Sequence, residues 1–476
     1  MMQAFVDLAT PMSFSRREFL GSIAAAASAF AVPALPALAE KRPARAPNII
    51  FFLTDDQRND TLGCTGDKIV MTPHIDALAA QGTLFRNAFV TTSICPSSRA
   101  SILTGVTETR HHYTFGTPPI ARALCDTSYP ALLKKAGYRT AIIGKFGVEM
   151  ADDAQKGFVD DFDPRDRPYD RKRADGTPVH VDQLNLESAL SFIEQADADQ
   201  PFLLSLNFSS AHAEDDDKQR QYHPLPWAED LYTDVQFPPP KLGDPRYFES
   251  QPDFLKHSFN RVRFGWRWDT PEKYQKNMRD YYRMLSGIDH MIGIVMDALR
   301  SRGLLENSIV VYAADNGYYM GDRGFADKWT HYEESMRVPI IIADQRTTHR
   351  KPRVVDAIAL NVDIPATFLD AAGIAQPATY QGRSLLPMTR GDTPHDWRKD
   401  FLCQHTMNEP GIPKWVGVRG ERYMYARYYE QSPAYEFLHD LKADPTEFVN
   451  LATSDKHAKL LAEQRAHCDA LRQTMA

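Results

Sequence analysis

The sequence predicts an α/β protein: an open, mostly parallel sheet, followed by a smaller C-terminal α+β domain. Three observations predict it. Apolar runs of strand length alternate with amphipathic helical segments, and the runs end in polar or charged residues. From about residue 395 the chain changes to short aromatic-rich strands and one terminal helix. Length and composition agree, since 476 residues that are 43% hydrophobic can bury a sizeable core.

The N-terminus comes first. In "SFSRREFLGSIAAAASAFAVPALPALAE", Arg16 and Arg17 precede an Ala-rich apolar stretch that ends in small residues at Ala37-Leu38-Ala39. This resembles a twin-arginine export signal over residues 1–39, followed by a polar linker at 40–46. Pro33 and Pro36 argue against a continuous membrane helix there, and no later apolar run reaches membrane-spanning length. The expectation is a periplasmic or secreted protein, delivered by the twin-arginine machinery and with no stable membrane insertion. A formal net charge of -7 argues against a nucleic-acid partner.

The main domain is expected over 47–394. "NIIFFLTDD" reads as a buried strand ending in Asp55 and Asp56, and "TPHIDALAAQG" as a helix with Pro73 at its first position. "SYPALLKKAGYRTAIIGK" reads as helix, Gly137 stop and a strand delivering Lys145. "QPFLLSLNFSSAH" is a strand delivering His212. A long amphipathic helix then precedes "SIVVYAADNG", which delivers Asp315 and Asn316. Segments 152–182 and 213–270 lack clean periodicity and are read as surface loops or insertions. Within them, "RVRFGWRW" (261–268) interleaves arginines with aromatics, as a sugar-binding cleft or a packed surface loop would. The small domain is expected over 395–476, where His405 and Trp415 are candidates for substrate contact or for structural roles.

Polar ends of neighbouring parallel strands meet in one crevice, so these residues form a candidate site. Asp55, Asp56, Asp315 and Asn316 offer hard oxygen ligands, which suit Ca²⁺ or Mg²⁺ rather than zinc. "CPSSRASILTG" (95–105) reads as a helix start, with Ser97 or Ser98 as cap and Cys95 and Arg99 crowding an N-terminus that attracts anions. A thiolate there would pair poorly with a hard cation, which favours an oxygen function at position 95. Five cysteines without a C-x-x-C argue against structural zinc and leave at least one unpaired.

These motifs resemble the type I sulfatases of the alkaline phosphatase superfamily. "CPSSRASILTG" is similar to the family signature C-x-P-x-R, with Ser97 in the proline position. "NIIFFLTDDQR", "TPHIDALAAQGTLFRNAF", "LLKKAGYRTAIIGK", "VVYAADNGYYMGDRGFADK" and "HYEESMRVPIII" follow family blocks in family order. The resemblance implies an alkaline-phosphatase-like α/β/α sandwich and hydrolysis of sulfate esters of a small molecule or glycan. It implies that Cys95 becomes formylglycine through a formylglycine-generating enzyme. One Ca²⁺ would be held by Asp55, Asp56, Asp315, Asn316 and residue 95. Arg99 would hold the formylglycine, Lys145 and Lys328 the sulfate, and His212 would stand near the leaving oxygen. Two positions depart from the pattern. Gly147 stands where the family carries a histidine after the lysine, leaving His111 or His112 as substitutes, and Arg323 replaces another histidine. Relatives hydrolysing phosphate diesters or phosphonate monoesters share the modified residue, and Gly147 also fits a sulfated-glycan-binding protein that has lost catalysis.

Overall fold

The computed structural model describes residues 45–347 and 351–475, so the export-signal reading of residues 1–39 lies outside the described residues. Among the described residues, twelve strands precede residue 361: β1 (Asn48–Thr54), β2 (Thr83–Phe85), β3 (Ala88–Phe89), β4 (Arg139–Gly144), β5 (Asp161–Pro164), β6 (Asp170–Lys172), β7 (Pro178–His180), β8 (Phe202–Asn207), β9 (Ser308–Ala314), β10 (Ile340–Asp344), β11 (Arg353–Val355) and β12 (Ala359–Leu360). Eight of them form one sheet in the order β11-β2-β10-β9-β1-β8-β4-β5. β10 runs antiparallel to both its neighbours, and the other pairings are parallel, as the sequence predicts.

Alternation along the central strands builds two cores. Ile50, Phe52, Leu204, Leu206, Val310 and Tyr312 face one side, under the helices Val181–Glu194 and Pro271–Ser301. Ile49, Phe51, Leu53, Leu203, Ile309 and Val311 face the other, under Cys95–Thr104, Tyr129–Lys135 and Asp363–Ala371. Both faces are covered, which is why these strands read as continuous apolar runs and why the result is an α/β/α sandwich.

The last four strands, β13 (Asp400–His405), β14 (Trp415–Gly420), β15 (Tyr423–Tyr428) and β16 (Tyr435–Asp440), form an antiparallel meander. One face, with Phe401, Trp415, Met424 and Phe437, packs on Phe89 of β3 and on Tyr319, Phe325 and Tyr332 between β9 and β10. The other, with Leu402, Val418 and Leu438, is covered by Leu461 and Cys468 of the terminal helix Ala458–Met475.

Three readings are corrected. Segment 213–270 is not only loop: it holds helices Pro245–Glu249, Asp253–Lys256 and Phe259–Arg267, the last containing most of the arginine–aromatic motif. Their shortness hides helical periodicity from a sequence window. Segment 152–182 contributes the edge strand β5 and the hairpin β6–β7. The helix at residue 95 is capped by extended Ile94, not by a serine, and Ser97 Oγ donates instead to Tyr113 O at 2.7 Å. All five cysteines are free thiols.

Glu108 ties the two parts together. Its carboxylate is 1% exposed and accepts from Thr92 Oγ1 at 2.7 Å and from the Thr406 hydroxyl. Burial pushes this carboxyl up to about 6, against the two hydroxyl donors that favour its charged form. The folded state therefore binds this proton more tightly than the unfolded chain does, and stability is lost as pH rises from about 4.5 through about 6. Glu108→Gln is expected to remove that loss: stabilisation of about 2 kcal/mol at pH 8 and none near pH 4, read from urea melts across pH.

Candidate active site

Strand register assembles the site. β1 is flanked by β9, with Thr54 opposite Ala314, and by β8, with Leu53 opposite Asn207; β4 follows with Gly144 opposite Asn207. All four strands end level, so the next residues of each chain segment meet: Asp55 and Asp56, Asp315 and Asn316, Ser209 to His212, and Lys145. Successive strand residues normally point to opposite faces. Asp56 has φ +50, and this left-handed turn lets both carboxylates enter one crevice. Gly144, with φ +87, sits where an added Cβ would lie 2.0 Å from Asn207 O, so only glycine allows β4 to turn there into Lys145.

Cys95 is the first residue of its helix, and its Sγ lies 3.3 Å from Asp55 Oδ1 and 3.9 Å from Asp56 Oδ1. One turn on, Arg99 shares its helix face. Arg99 Nε donates to Asp315 Oδ2 at 2.7 Å and Nη1 to Lys145 O at 2.6 Å, while Nη2 is buried without a partner. Lys145 Nζ pairs with Asp55 Oδ2, and Lys328 Nζ with Asp56 Oδ1. Asn316 Nδ2 donates to Asp56 Oδ1 at 2.6 Å. His212 Nε2 stands 3.6 Å from Asp56 Oδ2, beyond hydrogen-bond length. Every candidate site residue is thus brought into one buried cluster.

Burial and the Asp55 charge push the Cys95 thiol well above the ordinary range, so the geometry does not favour a thiolate nucleophile. Burial would raise the Asp55 carboxyl too, but Lys145, Arg99 and Lys328 outweigh it and hold Asp55 below the usual carboxylate range. Burial raises Asp56 despite Lys328, and burial with the Asp55 charge pushes Asp315 up to about 7 against Arg99. Burial and the cations Arg167, Lys328 and Lys145 keep His212 neutral.

The residues fit a hard divalent cation. Asp55, Asp56, Cys95 and His212 offer ligand atoms within 4.8 Å of one another. Asp56 Oδ2 and Asn316 Oδ1 are buried acceptors with no donor, a costly state that a cation relieves.

Behind the site stands a second layer, in which the arginine–aromatic motif and Trp415 take structural roles around Asp327, a residue the sequence reading did not single out. Asp327, which precedes Lys328, accepts from Arg267 Nη1 at 2.6 Å and Arg263 Nη1 at 3.1 Å. Trp415 Nε1 donates to Trp329 O at 2.7 Å, so Trp415 braces the residue after Lys328 rather than facing the crevice. His405 is fully buried with neither ring nitrogen hydrogen-bonded. Arg323 is also structural, donating to Glu334 Oε2 at 3.0 Å and Thr446 O at 2.8 Å. Neither substitute histidine joins the cluster: His111 Nε2 pairs with Ser101 Oγ at 3.0 Å, and His112 is exposed. At Gly147 (φ +67) an added Cβ would meet Arg99 Cδ at 3.2 Å, so this flank of Arg99 carries no side chain. Arg167, from a segment without periodicity, reaches His212 Nδ1 at 2.7 Å. Only its chain neighbours on β5 could have signalled it.

Fold and cluster together define a hydrolase whose acidic, metal-fitting crevice is lined by cations for an anionic substrate. The chain belongs to the sulfatase family, whose model matches residues 47–374. The model described as N-sulphoglucosamine sulphohydrolase, C-terminal, matches residues 321–474. An N-acetylglucosamine-6-O-sulfatase of Bacteroides thetaiotaomicron is 27% identical over 88% of this chain and 85% of its own. An ulvan-active sulfatase of Formosa agariphila is 27% identical over 85% of this chain and 77% of its own. Among solved structures, a protein in complex with its substrate D-glucosamine-2-N,6-O-disulfate superposes with TM-score 0.77 at 24% identity, covering 90% of this chain and 98% of that one. A phosphonate monoester hydrolase from Silicibacter pomeroyi gives 0.74 at 23% identity, covering 90% and 96%. At these identities the structural likenesses show the fold alone.

Arg267 is fully buried, so its loss leaves Asp327 short of a counter-charge beside Lys328. Arg267→Met is expected to destabilise the fold by about 3 kcal/mol or more in chemical denaturation.

Proposed function

We propose that this protein is an exported, Ca²⁺-dependent sulfatase that uses formylglycine made from Cys95 to hydrolyse sulfate esters of carbohydrates. The observation that carries the reading is the buried meeting of Cys95 with Asp55, Asp56, Asp315 and Asn316 under three cations, Arg99, Lys145 and Lys328. The sulfatase relatives supply the substrate class: one is named for N-acetylglucosamine 6-O-sulfate and another for ulvan. The Arg16-Arg17 signal supports export after folding, with the modification installed before it by a formylglycine-generating enzyme.

Asp55, Asp56, Asp315, Asn316 and residue 95 would hold the cation, which supplies Lewis-acid charge for the sulfate oxygens. Hydrated formylglycine supplies two hydroxyls on one carbon, one as nucleophile and one to release sulfate afterwards; serine has only one. Arg99, its Nη2 uncommitted and buried, orients the residue 95 oxygen. Lys145 and Lys328 neutralise sulfate oxygens as charge builds on them. His212, kept neutral, directs Nε2 into the crevice, where its N–H would hydrogen-bond the departing oxygen while that oxygen takes up the proton given up by the attacking hydroxyl. Water enters and the alcohol and hydrogen sulfate leave. Burial strengthens each of these charge contacts relative to solvent.

Mass spectrometry of the tryptic peptide Asn87–Arg99 from protein made in its native host should show an aldehyde or its hydrate at residue 95; an intact thiol overturns the nucleophile assignment. Cys95→Ala should keep the fold and lose sulfate release by about a thousandfold or more. Asp315→Ala should weaken the Ca²⁺-dependent rise in melting temperature, and an unchanged titration would sink the metal assignment. Turnover of sulfated sugars should exceed turnover of phosphate diesters; the reverse preference would assign the crevice to the phosphodiester and phosphonate branch. Tight sulfated-sugar binding without release from fully converted protein would assign it to binding alone.

A further inference from the structure

The segment after β5 enters the crevice from the edge of the sheet. Arg165 N–H donates to Gly144 O at 3.1 Å, which fastens the segment beside the strand end that delivers Lys145. Two residues on, Arg167 Nη1 lies 2.7 Å from His212 Nδ1 and donates to Ala213 O at 2.8 Å. Asp166 Oδ1 accepts the Arg167 backbone N–H at 2.7 Å and stands 3.4 Å from its Nε. The guanidinium is therefore held on two sides. Its Nη2 makes no hydrogen bond among the described residues, and the side chain keeps 23% of its surface exposed.

This cation is distinct from the other three. Lys145, Lys328 and Arg99 are each committed to a carboxylate of the cluster and are almost wholly buried. Arg167 contacts none of those carboxylates and touches the site through His212, which stands where the alcohol departs. Asp166 lies against the Nε edge of the guanidinium and leaves Nη2 uncommitted; burial alone would raise that carboxyl, and Lys145 and Arg167 hold it below the usual range. A guanidinium with one uncommitted nitrogen, partly shielded from solvent, recognises an oxyanion by charge and by paired N–H groups together.

We propose that Arg167 is a specificity-determining residue that binds a second anionic group, a carboxylate or another sulfate, carried by the leaving alcohol next to the ester oxygen. The assignment rests on the sulfatase reading and narrows it: the preferred substrates carry two negative groups close together rather than one.

The test uses two chromogenic esters, 4-nitrophenyl sulfate and 2-carboxy-4-nitrophenyl sulfate, which differ only in a carboxylate beside the ester oxygen. Both are assayed with Ca²⁺-loaded protein whose residue 95 is converted, as wild type, Arg167→Gln and Arg167→Lys. The quantity read is the ratio of kcat/KM for the carboxylated over the plain ester, in which leaving-group reactivity and general damage to the site cancel between variants. The ratio is expected to fall by about tenfold or more in Arg167→Gln, mainly through KM, and to be largely retained in Arg167→Lys. Equal ratios in wild type and Arg167→Gln would overturn the assignment. Should Arg167→Gln fail to fold, the unaltered protein decides: 5-nitrosalicylate must inhibit about tenfold more tightly than 4-nitrophenol, and equal inhibition overturns the proposal. Absence of sulfate release by converted wild type from both esters and from sulfated glucosamines overturns the sulfatase reading itself and this assignment with it.

Discussion

Three carboxylates, Asp55, Asp56 and Asp315, are fully buried in one crevice, and their mutual repulsion is the constraint on which the remaining architecture depends. Left alone, such a group would protonate or unfold the strand ends that carry it. The fold answers with charge of the opposite sign from three separate elements. Arg99 comes from the helix at residue 95, Lys145 from the end of β4, and Lys328 from the loop after β9. Each of the three side chains is almost wholly buried and ion-paired to one of the carboxylates. The result is a crevice that is acidic toward a metal and basic toward an anion at the same time.

A second layer keeps the first in place. Asp327, adjacent to Lys328, is gripped by Arg263 and Arg267, and Arg267 also reaches Gln221 Oε1 at 2.5 Å and Asp215. The loop carrying Lys328 is pinned from the other side by Trp415 of the small sheet through Trp329. Trp329 holds a left-handed backbone at φ +84, a conformation a tryptophan keeps only when its surroundings over-determine it. The small sheet thus braces the loop that carries Lys328. Arg323 serves the same interface through Glu334 and Thr446, which explains a large cation in a fully buried position.

Gly147 and Arg167 give the crevice its individual character. Gly147 presents no side chain to Arg99, while Arg167 adds a guanidinium against His212. Charge is therefore redistributed within the pocket rather than simply lost.

The sequence by itself determined the sheet and the candidate site residues at its strand ends. Apolar runs such as "NIIFFLT" and "SIVVYAA" are legible because strands covered on both faces need every residue apolar, and the acids that follow them mark where the runs leave the core. Parallel strands in an α/β sheet end on the same side, so those acids had to meet. The residues around them were not legible in the same way. Arg167, Asp327, Arg263, Arg267 and Trp415 reach the site from short helices, loops and another sheet, where no local period reveals direction. Serine propensity suggests Ser97 or Ser98 as the cap at residue 95, whereas the helix starts after Ile94, which packs against Trp329 and Ile412. Local pattern records burial and so fixes elements. Which distant cation faces which buried acid is decided by tertiary register and loop packing, where the interaction energy depends on distances that no stretch of sequence contains.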